Sequence, residues 1–372
     1  MRIGIVTLQP RCNFGGIMQA YAIQKVLVRL GHKVTLIDSF RGVKIPAKTR
    51  FLVYAKRIIE KIIHKKEQII FIDKYYTKRT RTIGKNTFLF IDKNIKRTEK
   101  KKDFSDITKS DFDAYIVGSD QVWRPIYFHS DIENAYLDFA KGWNVKRIAY
   151  AASFGTEEWE YNEQQTSKCA SLLKMFDAVS VREASAVKLC KMKFGVEAKH
   201  LLDPTMLLDR QDYIELFEKA GTKESKGKIF CYILDSNEKK SNLITNFAKE
   251  KSLEPFYVNS KYENEGAPIE ERIQQPVEKW LRAFYDAEFV ITDSFHACVF
   301  SIIFNKPFYV IGNKSRGISR FESLLGMFGL EDRLIPSTGE LTHNVINWEK
   351  VNTILQDKRK ESIDFLRKHL GE

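Results

Sequence analysis

Residues 2–39 read RIGIVTLQPRCNFGGIMQAYAIQKVLVRLGHKVTLIDS. Two apolar, β-branched runs, RIGIVTL at 2–8 and KVTLIDS at 33–39, flank a stretch from 15 to 31 whose apolar residues recur at helical spacing. Strand, helix, strand predicts two parallel strands joined by a crossover helix. Working outward, the alternation continues. Strands are expected at 113–118, 147–153, 178–182 and 198–202, with helices near 162–176 and 183–194. A second set has strands at 228–235, 254–258, 288–292 and 307–311, with helices at 238–251, 276–286, 296–304 and 318–328. Several of these strands are unbroken Val/Ile/Ala runs, as strands covered on both faces require. The fold class is therefore α/β, in two Rossmann-like halves that meet near Asp203-Pro204-Thr205 and face a cleft. The domains are expected at 1–205 and 206–345, with a helix in 346–372 that packs back across the junction.

A chain of 372 residues fits two domains at about 100–200 residues each. A hydrophobic fraction of 43% supports a sizeable core, and 19 Gly with 9 Pro excludes low-complexity disorder and collagen. The net charge of +13 suggests an anionic partner until it is located. Residues 41–110 hold 21 Lys+Arg against 7 Asp+Glu, and the other 302 residues hold 40 against 41. The excess is one segment, read as a basic insertion. Within it, Phe51, Tyr54, Ala55, Ile58, Ile59, Ile62, Ile63, Ile69 and Ile70 recur at helical spacing, opposite Lys56, Arg57, Glu60, Lys61 and His64. This predicts an amphipathic basic helix over 51–70, either packed on the core by its apolar face or docked on a membrane surface. No nucleic-acid motif accompanies the charge, so no nucleic-acid partner is expected.

No run of 18 or more apolar residues is present, so no transmembrane helix is expected. MRIGIVTL has no small-residue cleavage site and reads as a strand, not a signal peptide. Cys12, Cys169, Cys190, Cys231 and Cys298 are scattered without a CxxC pair, which fits a reducing cytoplasm with neither disulfides nor structural zinc.

In open parallel sheets the ligand lies beyond the carboxyl ends of the strands, so residues just after strands are the candidates. After the first strand come Asn13, Gly15, Gly16 and Gln19. Asn13 suits a helix cap, and with Gln19 it also suits sugar hydroxyls. Gly15 and Gly16 open a helix whose free N–H groups suit an anion. IVGSDQVW at 116–123 places Ser119 and Asp120 after a strand. AVSVREASA at 178–186 places Arg182 and Glu183 at a strand end, where Arg binds carboxylate or phosphate or forms an ion pair. FVITDSFHACVF at 289–300 places Asp293, Ser294, Phe295 and His296 at the start of an apolar helix, and His suits proton transfer near neutral pH. NKSRGISRFESLL at 313–325 adds Lys314, Arg316, Ser319 and Arg320, an anion pocket or surface charge. No Walker loop, HExxH, GxSxG or metal cluster is present, and Asp111-Phe112-Asp113 precedes a strand, as a polar loop would.

Together, IGIVT with NFGGIMQAYAIQKVLVRLGHKVTLIDS, FDAYIVGSDQVW, RIAYAASFG, VSVREASA, LLDPT and VITDSFHACVFSIIFNKPF resemble the polysaccharide pyruvyl transferase family, in order and spacing, from residue 2 to about 325. Ala297-Cys298 departs from the Gly and small residue common after the His, and the basic insertion carries no matching motif. The resemblance implies the glycosyltransferase B architecture. It implies transfer of pyruvate from phosphoenolpyruvate to two hydroxyls of a sugar, free or lipid-linked, as a ketal. It also implies donor-site roles for His296, Phe295 and Arg182. The chemistry requires no metal or cofactor, and the cysteines together with the basic segment predict a cytoplasmic enzyme held at the inner face of the membrane. Two rival readings are a nucleotide-sugar glycosyltransferase of the same fold and a non-enzymatic membrane or glycolipid module.

Overall fold

In a computed structural model of the chain, the described residues are 1–38, 47–63, 69–98, 104–128, 131–312, 317–336 and 344–371. The first half contains β1 (Arg2–Val6), α1 (Phe14–Arg29), β2 (Lys33–Leu36), α2 (Ala47–Ile63), α3 (Ile72–Ile83), α4 (Lys85–Asn94), β3 (Ala114–Val117), β4 (Lys146–Ala152), α5 (Glu163–Leu173), β5 (Ala178–Val181), α6 (Ala184–Leu189) and β6 (Lys199–His200). The second contains α7 (Arg210–Lys219), β7 (Ile229–Tyr232), α8 (Glu238–Lys251), β8 (Pro255–Tyr257), α9 (Ile269–Arg272), α10 (Val277–Asp286), β9 (Phe289–Thr292), α11 (Phe295–Ile303), β10 (Phe308–Ile311), α12 (Ser319–Phe328) and β11 (Leu334–Ile335), before a final α13 (Trp348–Leu370).

The strands form two parallel sheets, one of six in the order β2-β1-β3-β4-β5-β6 and one of five in the order β11-β10-β9-β7-β8. These are the two Rossmann-like halves expected from the alternating strands and helices. β3, β5, β7 and β10 are buried along their whole length, which is why their sequences do not alternate. β4 carries a register irregularity between Ala149 and Ala152, and Ser180 Oγ satisfies it by donating to Ala149 O and accepting from Ala151 N.

Two helices are apolar on nearly every side, as a helix enclosed by protein must be. α1 is buried from Phe14 through Gln24, and α11 is buried at every position. They touch each other where the halves meet, and one hydrophobic cluster runs through both. Phe14 stacks on Trp280 at 5.3 Å, joining the start of α1 to α10. Each such fully buried large side chain contributes about 1.5–3 kcal/mol. α13 crosses back to the first half: Lys146 Nζ donates to His369 O, Leu202 N donates to Ser362 Oγ, and Arg359 donates to Met206 O, Leu208 O and Asp209.

The basic insertion differs from the single helix expected over 51–70. α2 ends at Ile63, residues 64–68 lie outside the described residues, and α3 and α4 follow. α2 also does not bury its apolar stripe: Phe51, Leu52, Ile58, Ile59, Ile62 and Ile63 are all exposed.

Candidate active site

The carboxyl ends of five strands converge on Asp203 and its neighbours. Asp203 follows β6 and is 2% exposed, with no opening to water of its own. Its Oδ1 accepts from Thr205 N at 3.0 Å and Thr205 Oγ1 at 2.6 Å. Its Oδ2 accepts from Ser119 Oγ at 3.0 Å, after β3, and from Arg182 Nη1 at 2.9 Å, after β5. His296 Nε2, from the first turn of α11 after β9, stands 3.6 Å from the same oxygen, an ion-pair distance rather than a hydrogen bond. Beyond β4, Ser153 Oγ donates to Glu183 Oε1 at 2.5 Å, and Arg182 Nε reaches that oxygen at 3.3 Å. Arg182 thus bridges two buried carboxylates.

Phe295 supplies a ring under the cations. The Arg182 guanidinium lies 4.3 Å and that of Arg320 5.6 Å from its centroid. Three buried atoms of this cluster have no hydrogen-bond partner among the described residues: Arg182 Nη2, Glu183 Oε2 and His296 Nε2. A donor, an acceptor and a titratable nitrogen left open at one place are what a polar ligand needs.

Burial works to raise the Asp203 carboxyl pKa, but His296, Arg182 and Thr205 outweigh it and hold the group well below the usual carboxylate range. Burial likewise opposes the charge on Arg182, and Glu183, Asp203 and Asp120 overcome it. Arg320 has weaker support: burial and the neighbouring Arg182 push it down to about 10, against Glu183 and Asp120. The positive charges of Arg182 and Arg320 thus face the carboxylates of Asp203, Glu183 and Asp120.

The glycines of the first turn have a steric role. A Cβ on Gly15 would lie 2.0 Å from His296 Nδ1, so α1 approaches α11 only because that carbon is absent. Neither enclosed helix can retreat. Gly15→Ala is expected to lower turnover about 100-fold by displacing the imidazole, and to cost about 1–3 kcal/mol through overpacking. Steady-state kinetics and chemical denaturation check both. A Cβ on Gly317 would lie 1.9 Å from Gly155 O, so the halves also meet backbone to backbone beside Arg320.

The other candidates divide. Asp120 sits at φ +61°, in the left-handed region, and its Oδ2 faces Gly16. Asn13 caps α1, accepting from Gly16 N at 2.9 Å, so one of the expected anion-binding N–H groups is already engaged. Gln19 is fully buried, donating to Thr7 Oγ1 at 3.0 Å and Gly16 O, with Oε1 unpartnered among the described residues. Ser294 is buried at the start of α11. Asp293 turns inward, accepting from Leu234 N at 2.7 Å, Asp235 N at 3.1 Å and Lys240 Nζ at 2.6 Å. Lys314 and Arg316 lie outside the described residues. Asp113 pairs with Arg2 at 2.6 Å before β3, as a polar loop. Sequence reasoning missed Asp203, Ser153 and Thr205 as site residues. The signal for the first two was position, immediately beyond strand ends. Burial pushes the Cys12 thiol up to about 11, against Arg11, so it is a poor nucleophile. Among the described residues, no group of three or more His, Cys, Asp or Glu is placed to hold a metal, and no helix is long and apolar enough to cross a membrane.

A cleft of about 610 Å³ opens beyond the carboxyl ends of β7 and β8. Tyr232, Tyr257, Asn259, Tyr262 and Lys240 line it, and Lys240 reaches Asp293, three residues before His296.

Compared with known families, residues 13–315 match the family model described as polysaccharide pyruvyl transferase. A comparison with curated proteins finds no match. Among solved structures, UDP-GlcNAc 2-epimerase from Neisseria meningitidis aligns over 100% of this chain and 99% of its own, at 9% identity and a TM-score of 0.49. UDP-GlcNAc 2-epimerase from Methanocaldococcus jannaschii aligns over 100% and 99%, at 11% identity and 0.47. A glycosyltransferase from Rickettsia africae aligns over 100% and 98%, at 10% and 0.45.

Proposed function

The chain belongs to the polysaccharide pyruvyl transferase family, and from that premise we propose that it moves pyruvate from phosphoenolpyruvate onto two hydroxyls of a sugar, in a surface polysaccharide or its lipid-linked precursor. The observation that carries this reading is the enclosed cluster of Arg182, Glu183, Asp203 and His296 with three polar atoms left open. Phosphoenolpyruvate needs cations for its carboxylate and phosphate and a proton for its methylene carbon. Arg182 and Arg320 supply the first, over the Phe295 ring, and His296 supplies the second.

The balance of the reaction follows. Protonated His296 gives its proton to the methylene carbon, which becomes the methyl group. The cationic character at the second carbon is stabilised by the phosphate oxygen. A sugar hydroxyl attacks there and loses its proton, the carbon–oxygen bond to phosphate breaks, and the second hydroxyl closes the ketal. Of the two hydroxyl protons, one replaces that given by His296 and the other leaves with phosphate. Asp203 holds the imidazole and stabilises its charged form, and Arg182 Nη2 is free for an anionic oxygen. The acceptor belongs in the cleft beside Asp293, where tyrosine faces and an amide suit a pyranose.

The test is incubation with phosphoenolpyruvate and a panel of lipid-linked and nucleotide sugars, read by mass for added pyruvate and by phosphate release. Equimolar ketal and phosphate are expected. Glycosyl transfer from a nucleotide sugar, with phosphoenolpyruvate inert, would replace this reading with the glycosyltransferase one. That second reading keeps its place because the cleft in the second half is large enough for a nucleoside.

A further inference from the structure

α2 is built the opposite way from a helix of a globular surface, which turns its apolar stripe inward. At about 100° per residue, Ile58, Phe51, Ile62, Ile59, Leu52 and Ile63 fall in one arc of about 140°, and that arc faces out, with Phe51 79% and Ile62 72% exposed. The inner side makes the polar contacts. Tyr54 Oη donates to Asp73 Oδ1 at 2.6 Å, Arg57 Nη1 donates to Ile69 O at 3.0 Å, and the Tyr54 ring meets Phe71 edge-on at 4.9 Å. Phe71 itself is half exposed. An apolar patch of this kind, held outward by specific contacts behind it, marks an interaction surface.

The charge around the patch identifies the occupant. Lys56 and Lys61 on α2 are exposed, Lys74 on α3 lies over the Phe71 ring at 5.6 Å, and Lys78 and Arg81 on α3 are exposed, within a segment of 21 Lys+Arg against 7 Asp+Glu. A second copy of this chain would bring the same positive field and be repelled. We propose that α2 lies in the headgroup region of an anionic bilayer, with its six apolar side chains inserted and the lysines against lipid phosphates. Aliphatic side chains satisfy the acyl boundary, cations satisfy the headgroups, and no described helix spans the membrane. This goes beyond the reaction proposed above and does not depend on it.

The test is co-sedimentation of the full chain with vesicles of phosphatidylcholine alone and of phosphatidylcholine with phosphatidylglycerol. Binding is expected on the anionic vesicles only, weakening as salt is raised. Ile59→Glu with Ile62→Glu should lower the partition coefficient about tenfold or more, and Lys56→Gln with Lys61→Gln about fivefold per charge. Both variants should keep the wild-type melting temperature and turnover on a soluble acceptor. Wild-type partitioning by the double glutamate variant would overturn the proposal. So would a concentration-dependent dimer, seen by analytical ultracentrifugation, that the same substitutions abolish.

Discussion

Asp203→Asn is expected to lower the stability of the fold by about 3–5 kcal/mol at neutral pH, the cost of removing one partner from a buried charge network. The substitution keeps the shape and deletes the charge. Arg182, 4% exposed, then keeps Glu183 as its ion-pair partner, and Ser119 and Thr205 lose a charged acceptor. The pH dependence gives the sign. The Asp203 carboxyl is held well below its ordinary value in the folded chain, so its contribution is complete above the unfolded value of about 3.9. It is lost as pH falls below that value toward the folded pKa. Chemical denaturation at a series of pH values should therefore show the full gap between wild type and variant above about pH 5 on the Asp203 side of the linkage. The gap should narrow in more acid solution. A gap below about 1 kcal/mol at neutral pH, or one that widens toward acid, would mean that Asp203 is not the hub of the network.

Much of this arrangement was legible in the sequence because burial on both faces leaves a plain signature. β3, β7 and β10 are unbroken apolar runs, and the residues just beyond strands were sought for ligand contacts on topological grounds alone. That rule located Ser119, Arg182 and His296 in their loops. It did not single out Asp203, because Leu201-Leu202-Asp203-Pro204-Thr205 reads equally well as the junction between halves. Its role arises from side chains that come from residues 119, 182, 205 and 296, a convergence no local pattern encodes. Asp293 illustrates the converse. Its position after β9 resembles that of a ligand contact, yet two backbone N–H groups and Lys240 claim its oxygens. The orientation of α2 was also hidden, since an amphipathic pattern specifies two faces without saying which is inward. Tyr54, Arg57 and Asp73 decide that, through contacts between segments.

His296→Ala is expected to reduce turnover about 10²–10⁴-fold, the usual contribution of a positioned acid–base group, while leaving the chain folded. The side chain is nearly buried but has no strong hydrogen bond to lose: its Nε2 stands 3.6 Å from Asp203 and is otherwise unpartnered among the described residues. Truncation leaves a small polar cavity beside Gly15 rather than a stranded charge, because Asp203 keeps Arg182, Ser119 and Thr205. The loss should therefore fall on kcat more than on donor affinity, which Arg182 and Arg320 continue to support. The pH profiles separate this role from simple packing. In the wild type, donor binding should weaken as pH rises through the range in which histidine loses its proton, because the mechanism proposed above places an imidazolium beside the anionic donor. In His296→Ala that dependence should vanish. Undiminished turnover in the variant would remove His296 as the acid. A lowered kcat with the wild-type pH dependence of donor binding retained would assign the titrating group to another residue.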